Sequence, residues 1–223
     1  MSNYGLGFLS ATAPWDGSAA TSISFTDTAS NTTNTDAYTF TGQSIGSAAS
    51  NRIVVVSVYL IGVSSTKTVT IGGIAATEAV TNYYSTPNTF LGIYYAAVPT
   101  GTTATVFVES SGKANRCAIS VYRLIPSYSS SALYTVSTTA IGDASLNEIT
   151  GGSSVYAYVR DSSNSYTISR NSSTLTPDVS SVFGGSKLVK FGNFPVTGNP
   201  NAQNNSTYSS STADVGIVVA HWR

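Results

Sequence analysis

The sequence predicts an all-β fold: an antiparallel sandwich behind an extended N-terminal arm. Between Asn51 and Leu124, apolar runs of strand length (Ile53–Val63, Val69–Ile71, Leu91–Val98, Ala104–Val108, Cys117–Leu124) alternate with short turns carrying Gly, Asn, Ser or Pro. No apolar pattern with helical spacing runs long enough for a helix. The length, 223 residues, suits a single large β domain, since sandwiches and barrels reach roughly 200–250 residues undivided.

Residues 1–36 stand apart from the rest. Polar segments of this kind are often solvated tails, and only Ile23-Ser24-Phe25 alternates like a strand. Yet Tyr4, Leu6, Phe8, Leu9 and Trp15 would be wasted on water, so the segment reads as an arm that docks on its own domain or on a neighbouring subunit.

From residue 37 to 223 one sandwich domain is expected. Tyr38-Thr39-Phe40 alternates, and GSAASN then leads into IVVVSVYLI, which is apolar on both faces as in a central strand covered on both sides. Gly72-Gly73, between Thr68–Ile71 and Ile74–Val80, marks a hairpin, because glycine accepts the positive φ of primed turns. Pro99-Thr100-Gly101-Thr102 closes the strand Leu91–Val98. Cys117–Leu124 returns to the core, and SYSSSA after Pro126 reads as a loop.

Weaker strands follow at Leu133–Val136, Val155–Val159, Tyr166–Ile168, Ser186–Phe191 and Gly216–Ala220. Asn193–Thr212 reads as a long polar loop ahead of the buried final strand. No internal repeat is visible in the text.

Charged residues make up only 9% of the chain, against about 25% in an average globular domain. Ser, Thr and Asn must wet the surface instead. Such neutral surface suits large, permanent protein contacts, or equally an ordinary extracellular β protein. Net charge is zero and the basic residues are scattered, so no stripe exists to follow a phosphate backbone and nucleic-acid binding is not expected. No stretch approaches the roughly 20 apolar residues of a membrane helix, and no secretory leader is visible. Cys117 is alone, so the fold is expected to form without bridges, as in a reducing cytosol.

Chemistry is thinly provided. His221 is the one histidine, and the nearest acid in sequence, Asp214, precedes its strand, so a structural or solvent-edge role is expected rather than a catalytic triad. With no second His and no Cys cluster, no metal site or cofactor is expected. Asp143 and Glu148 read as a solvated loop pair rather than a glycosidase pair. Adjacent tyrosines on a strand point to opposite faces, so Tyr94 and Tyr95 cannot form one platform. Tyr83 and Tyr84 are the candidates for a glycan or subunit contact.

The succession YTFTGQSIGSAASNRIVVVSV, VTIGGIAAT, IYYAAVPTGTTATVFV and RCAISVYRL resembles a group of tailed-bacteriophage virion proteins with a jelly-roll-like β-sandwich domain. The likeness spans about Tyr38 to Leu124 and more loosely the end near Ala220. It implies the fold and a virion context and fixes no active site; with no catalytic set, secretory leader or bridge in the text, a non-enzymatic protein made in the host cytoplasm and released by lysis is expected. The expected role is capsid decoration. The expected partners are the major capsid protein or other virion proteins and further copies of the chain, a trimer being favoured. The alternative is a tail-fibre or receptor-binding module recognising host glycan through Asn82–Thr89 and Asn193–Thr212.

Overall fold

The computed structural model describes residues 20–85, 88–138, 144–160, 166–183, 187–197, 203–210 and 215–223. Strands are the only regular elements among them. The first set is β1 (Ser22–Asn31), β2 (Thr35–Ser44), β3 (Ile53–Ile61), β4 (Thr66–Ile71), β5 (Ile74–Ala75), β6 (Thr77–Tyr84), β7 (Thr89–Ala97), β8 (Thr103–Ala114) and β9 (Arg116–Ile125). The second is β10 (Tyr134–Thr138), β11 (Ala144–Ile149), β12 (Ser153–Arg160), β13 (Ile168–Arg170), β14 (Ser173–Leu175), β15 (Val179–Phe183), β16 (Lys187–Pro195), β17 (Gln203–Ser210) and β18 (Val215–Trp222).

These strands form four antiparallel sheets, β1-β9-β3-β7-β6, β2-β8-β4-β5, β10-β18-β12-β16-β15 and β11-β17-β13-β14. Three cores glue them into a stack. Val54, Val56, Val58 and Leu60 of β3 meet Tyr38 and Phe40 of β2 and Val106 and Val108 of β8 in the first. The opposite side of the same strand, Ile53, Val55, Tyr59 and Ile61, meets Val155 and Val159 of β12 and Val218, Ala220 and Trp222 of β18 in the central core. Tyr156, Tyr158, Ile217 and Val219 then meet Leu146 of β11 and Ile168 of β13 in the third. The β1 and β10 sheets are therefore inner layers, and the β2 and β11 sheets are outer ones.

This layering explains the sequence texture. All of β3 is buried, as a strand apolar on both faces requires. The outer strands alternate instead: Tyr38 and Phe40 point inward while Thr39 and Thr41 are exposed. Cys117 is a free, buried thiol in the first core, as expected, and burial pushes its pKa up.

The second half repeats the first. Adding nine to each strand number converts the first pair of sheets into the second without exception. Register agrees residue by residue: Ile53 lies between Leu124 and Ala97, and Ser153 lies between Trp222 and Pro195. Just beyond these strands, Val98 N bonds Arg52 O and Val196 N bonds Gly152 O. Even the tightest turn recurs. Gly72 and Gly73 have φ of 62° and 78°, and Asn171 and Ser172 have φ of 48° and 66°. The first of these turns is the predicted hairpin. The inner sheets pack through the same face of each half, in the manner of an isologous dimer made within one chain.

Three expectations are corrected here. The repeat escaped notice because the halves share register and burial while their chemistry differs, as Ile53 against Ser153 illustrates. Two stacked sandwiches stand where one was expected over 37–223, and the first begins before residue 37: Ser22–Asn31, assigned to the arm 1–36, is an edge strand paired with β9. Its burial alternation is interrupted by a bulge between Phe25 and Asp27, which hid the strand pattern. Finally, Asn193–Thr212 is no continuous loop: β16 runs to Pro195, and the polar text QNNSTYSS is β17, interior to an outer sheet.

Candidate functional site

The nearest approach to a reactive constellation lies between the second pair of sheets. β12 brings Ser154 and β18 brings His221, adjacent by register, from the inner sheet. β11 contributes Glu148 and β13 contributes Arg170 from the outer one. Glu148, Ser154 and His221 are all fully buried.

The hydrogen-bond inventory fixes the protons. Ile149 N donates to His221 Nε2 at 3.0 Å, so that nitrogen is unprotonated. The neutral ring therefore carries its proton on Nδ1, which donates to Ser154 Oγ at 2.9 Å. Ser154 in turn donates to Glu148 Oε1 at 2.8 Å. Glu148 Oε2 receives Arg170 Nε at 2.7 Å and Nη2 at 2.5 Å. Tyr134 stacks on the imidazole with centroids 6.4 Å apart, and the Arg170 guanidinium lies 5.2 Å over the Phe194 ring.

This wiring is opposite to that of a nucleophilic triad. There the serine donates to an imidazole nitrogen that acts as base. Here the serine proton is held by a carboxylate, the histidine donates to the serine, and its other nitrogen is occupied by a main-chain N–H. Burial holds the His221 pKa down at about 4, with Glu148 partly opposing the shift. The arrangement is a brace between two sheets. By register its first-half counterparts include Val54 for Ser154 and Arg123 for His221, so the brace belongs to the second half alone.

His221 is buried with both ring nitrogens hydrogen-bonded, so it is not at a solvent edge. Glu148 is corrected from a solvated loop residue to a buried one, because β11 turns it inward toward Ser154; Asp143 lies outside the described residues. Sequence spacing could not reveal this group, since its members come from four strands.

The remaining candidates scatter. Tyr4, Leu6, Phe8, Leu9 and Trp15 lie outside the described residues. Tyr84 is no surface contact: it is buried in the central core, its hydroxyl donates to Ile217 O at 2.9 Å, and its ring covers Gly216. Tyr83 is half-buried and bonds Asn88 Oδ1 at 2.9 Å. Tyr94 and Tyr95 do face opposite ways, Tyr94 into the first core and Tyr95 against the Trp222 ring.

One open feature went unremarked in the sequence. Where the two halves join, the turn Pro126–Ser130, the segment Ser50–Arg52 and the ends of β3 and β7 line an open cavity of about 390 Å³. Tyr128, 62% exposed, is on its wall. The turn is pinned from below, because Tyr128 N and Ser129 N both donate to Arg223 O, at 2.9 and 2.6 Å. At the cavity's edge Arg52 is buried, and its guanidinium donates to Val98 O, Gly46 O and Thr100 O at 2.6–2.7 Å.

No protein-family model, no curated protein and no solved structure matches this chain. Among the described residues no helix is long and apolar enough to cross a membrane, and no group of three or more His, Cys, Asp or Glu is placed to hold a metal.

Proposed function

We propose that this chain is a structural protein of a tailed-bacteriophage virion. In this reading it decorates or cements the capsid shell, works by contact rather than catalysis, and takes the major capsid protein and its own copies as partners, with a trimer as the working form. The observation that carries this is the fate of the one Ser–His–Glu group: its protons are committed to bracing two sheets. The outer face of the β2 sheet agrees with it, being rich in threonine: Thr39, Thr41, Thr68 and Thr105 are exposed there, beside the ion pair Lys67–Glu109.

The jelly-roll expectation draws support from strand order. In each half, β1-β9-β3-β7 over β2-β8-β4-β5, and its counterpart nine strands later, follows the interleaving of eight strands in two Greek keys, with β6 and β15 as additions. The resemblance to virion proteins rests on segments that include β3, β7 and β9, the inner sheet of the first half.

The test is localisation on particles. A density map of purified virions should place the chain on the capsid shell, in clusters of three. Deleting residues 1–19, which spares β1, should lower its occupancy on particles severalfold. Absence from the virion would overturn the reading, and unchanged occupancy would remove the arm as the anchor.

A further inference from the structure

We propose that the free edge of β15 is a contact between two copies of this chain, whose β15 strands pair antiparallel across a two-fold axis. The proposal stands apart from the capsid assignment, since a two-fold contact here can coexist with a three-fold contact elsewhere on the surface.

The outermost strand of a sheet carries a row of main-chain N–H and C=O groups ready to pair with another chain. Folds guard such rows with charge, bulges, short length or a covering element. Most edges of this molecule are guarded in those ways. β1 carries Asp27 beside its bulge, and β2 carries Asp36 with two register shifts. β6 carries Glu78, also at a bulge, and packs against β18 and β10 of the other half. β10 and β11 pack against one another, and β5 and β14 are only two and three residues long.

β15 has none of these guards. Val179–Phe183 ends its sheet, pairs with β16 without a register shift and holds no charged residue. The internal repeat makes β6 its counterpart, yet β15 lacks the cover that β6 takes from the other half. Among the described strands, β16 is the one it packs closely against. Val182 lies opposite Leu188 of the third core and is 49% exposed, so apolar surface runs on past the end of the sheet.

Charge and register select a second copy as the occupant. When Ser181 stands opposite its own symmetry mate, all of 179–183 pair and Ser180 falls opposite Val182. Opposite residues then share a face of the sheet, as antiparallel pairing demands. The two Val182 residues become diagonal neighbours on one face. No like charges meet, because the strand is neutral. Asp178 lies just outside the paired span, where its carboxylate accepts from Asn193 Nδ2 at 2.8 Å. Such a contact is isologous, and main-chain hydrogen bonds supply its affinity. It would join two five-stranded inner sheets into one continuous sheet.

The experiment uses the full chain, purified without denaturant. Sedimentation at rising concentration should show self-association, and Val182→Lys should weaken it about tenfold by placing charge on the edge. Because Val182 is exposed, that variant should melt with the parent. A short thiol cross-linker should capture Ser181→Cys as a dimer. It should also capture Ser180→Cys mixed with Val182→Cys better than either variant alone. Cys117 is buried and stays silent. A parent that is monomeric at every concentration would overturn the proposal. So would association undiminished by Val182→Lys, or capture of Ser181→Cys no better than that of Thr39→Cys on an exposed outer face. Localisation on particles is read separately, so failure here leaves the capsid assignment intact.

Discussion

At the scale of single residues, His221 sets a pH dependence whose sign follows from its surroundings. Its pKa is about 4 in the fold, below the ordinary value of 6.5. Between these pH values the unfolded chain holds a proton that the native chain refuses, so the unfolded state gains as pH falls. The stabilisation is complete above pH 6.5 and is lost progressively down to about pH 4. The loss should be about 3 kcal/mol, read as a falling urea midpoint. His221→Gln should be less stable at pH 7 and should show a flatter profile over the same window. Glu148 answers to a different rule. Glu148→Ala leaves Arg170, whose side chain is only 21% exposed, without its carboxylate, and should cost about 3 kcal/mol. Neither role could be read from the text, because a buried glutamate and a solvated one are the same letter.

At the scale of elements, the two equivalent tight turns offer a matched comparison. Ser172 holds φ of 66°, where a side chain is strained and glycine is at ease. Ser172→Gly should therefore raise stability by about 0.5–1 kcal/mol, while Gly72→Ala, at φ 62°, should lower it by about 1 kcal/mol. Thermal melts of the two variants would show opposite shifts. The same pair shows what was legible. Gly72-Gly73 announces its turn from sequence, whereas Asn171-Ser172 performs the same turn without the signal. Strands of the inner sheet were legible for a similar reason: β3 and β9 are covered on both faces over most of their length and read as largely apolar text, broken only by Ser57 in β3 and by Arg116, Ser120 and Arg123 in β9. β17 was not, since Gln203–Ser210 is polar throughout and its strand character comes from pairing with β11 and β13.

For the whole molecule, the low charge finds a partial account in the stack itself. Two of the four sheets have no solvent face over most of their area, so fewer positions are left for lysine and glutamate. The apolar strand pattern drew on this doubly covered interior, which is why it located the sheets and missed the duplication. The central core also makes the halves one thermodynamic unit. Trp222 is fully buried there against Tyr95 of the other half, and Trp222→Ala should cost about 3–5 kcal/mol. The lesion should shift a single calorimetric transition as a whole. Two separated transitions would show that the halves unfold independently.

The linker between β9 and β10 gives this design a hazard. Its neighbours are near-copies in topology, and the face each presents to its sibling is equally on offer to the sibling's counterpart on another molecule. During refolding from denaturant at high concentration, the C-terminal half of one polypeptide can settle on the N-terminal half of a second. The product would be an entwined pair of twice the mass with every native contact intact. Dilute refolding should suppress that species, and a longer Gly/Ser tether at Ser130–Ser131 should suppress it further.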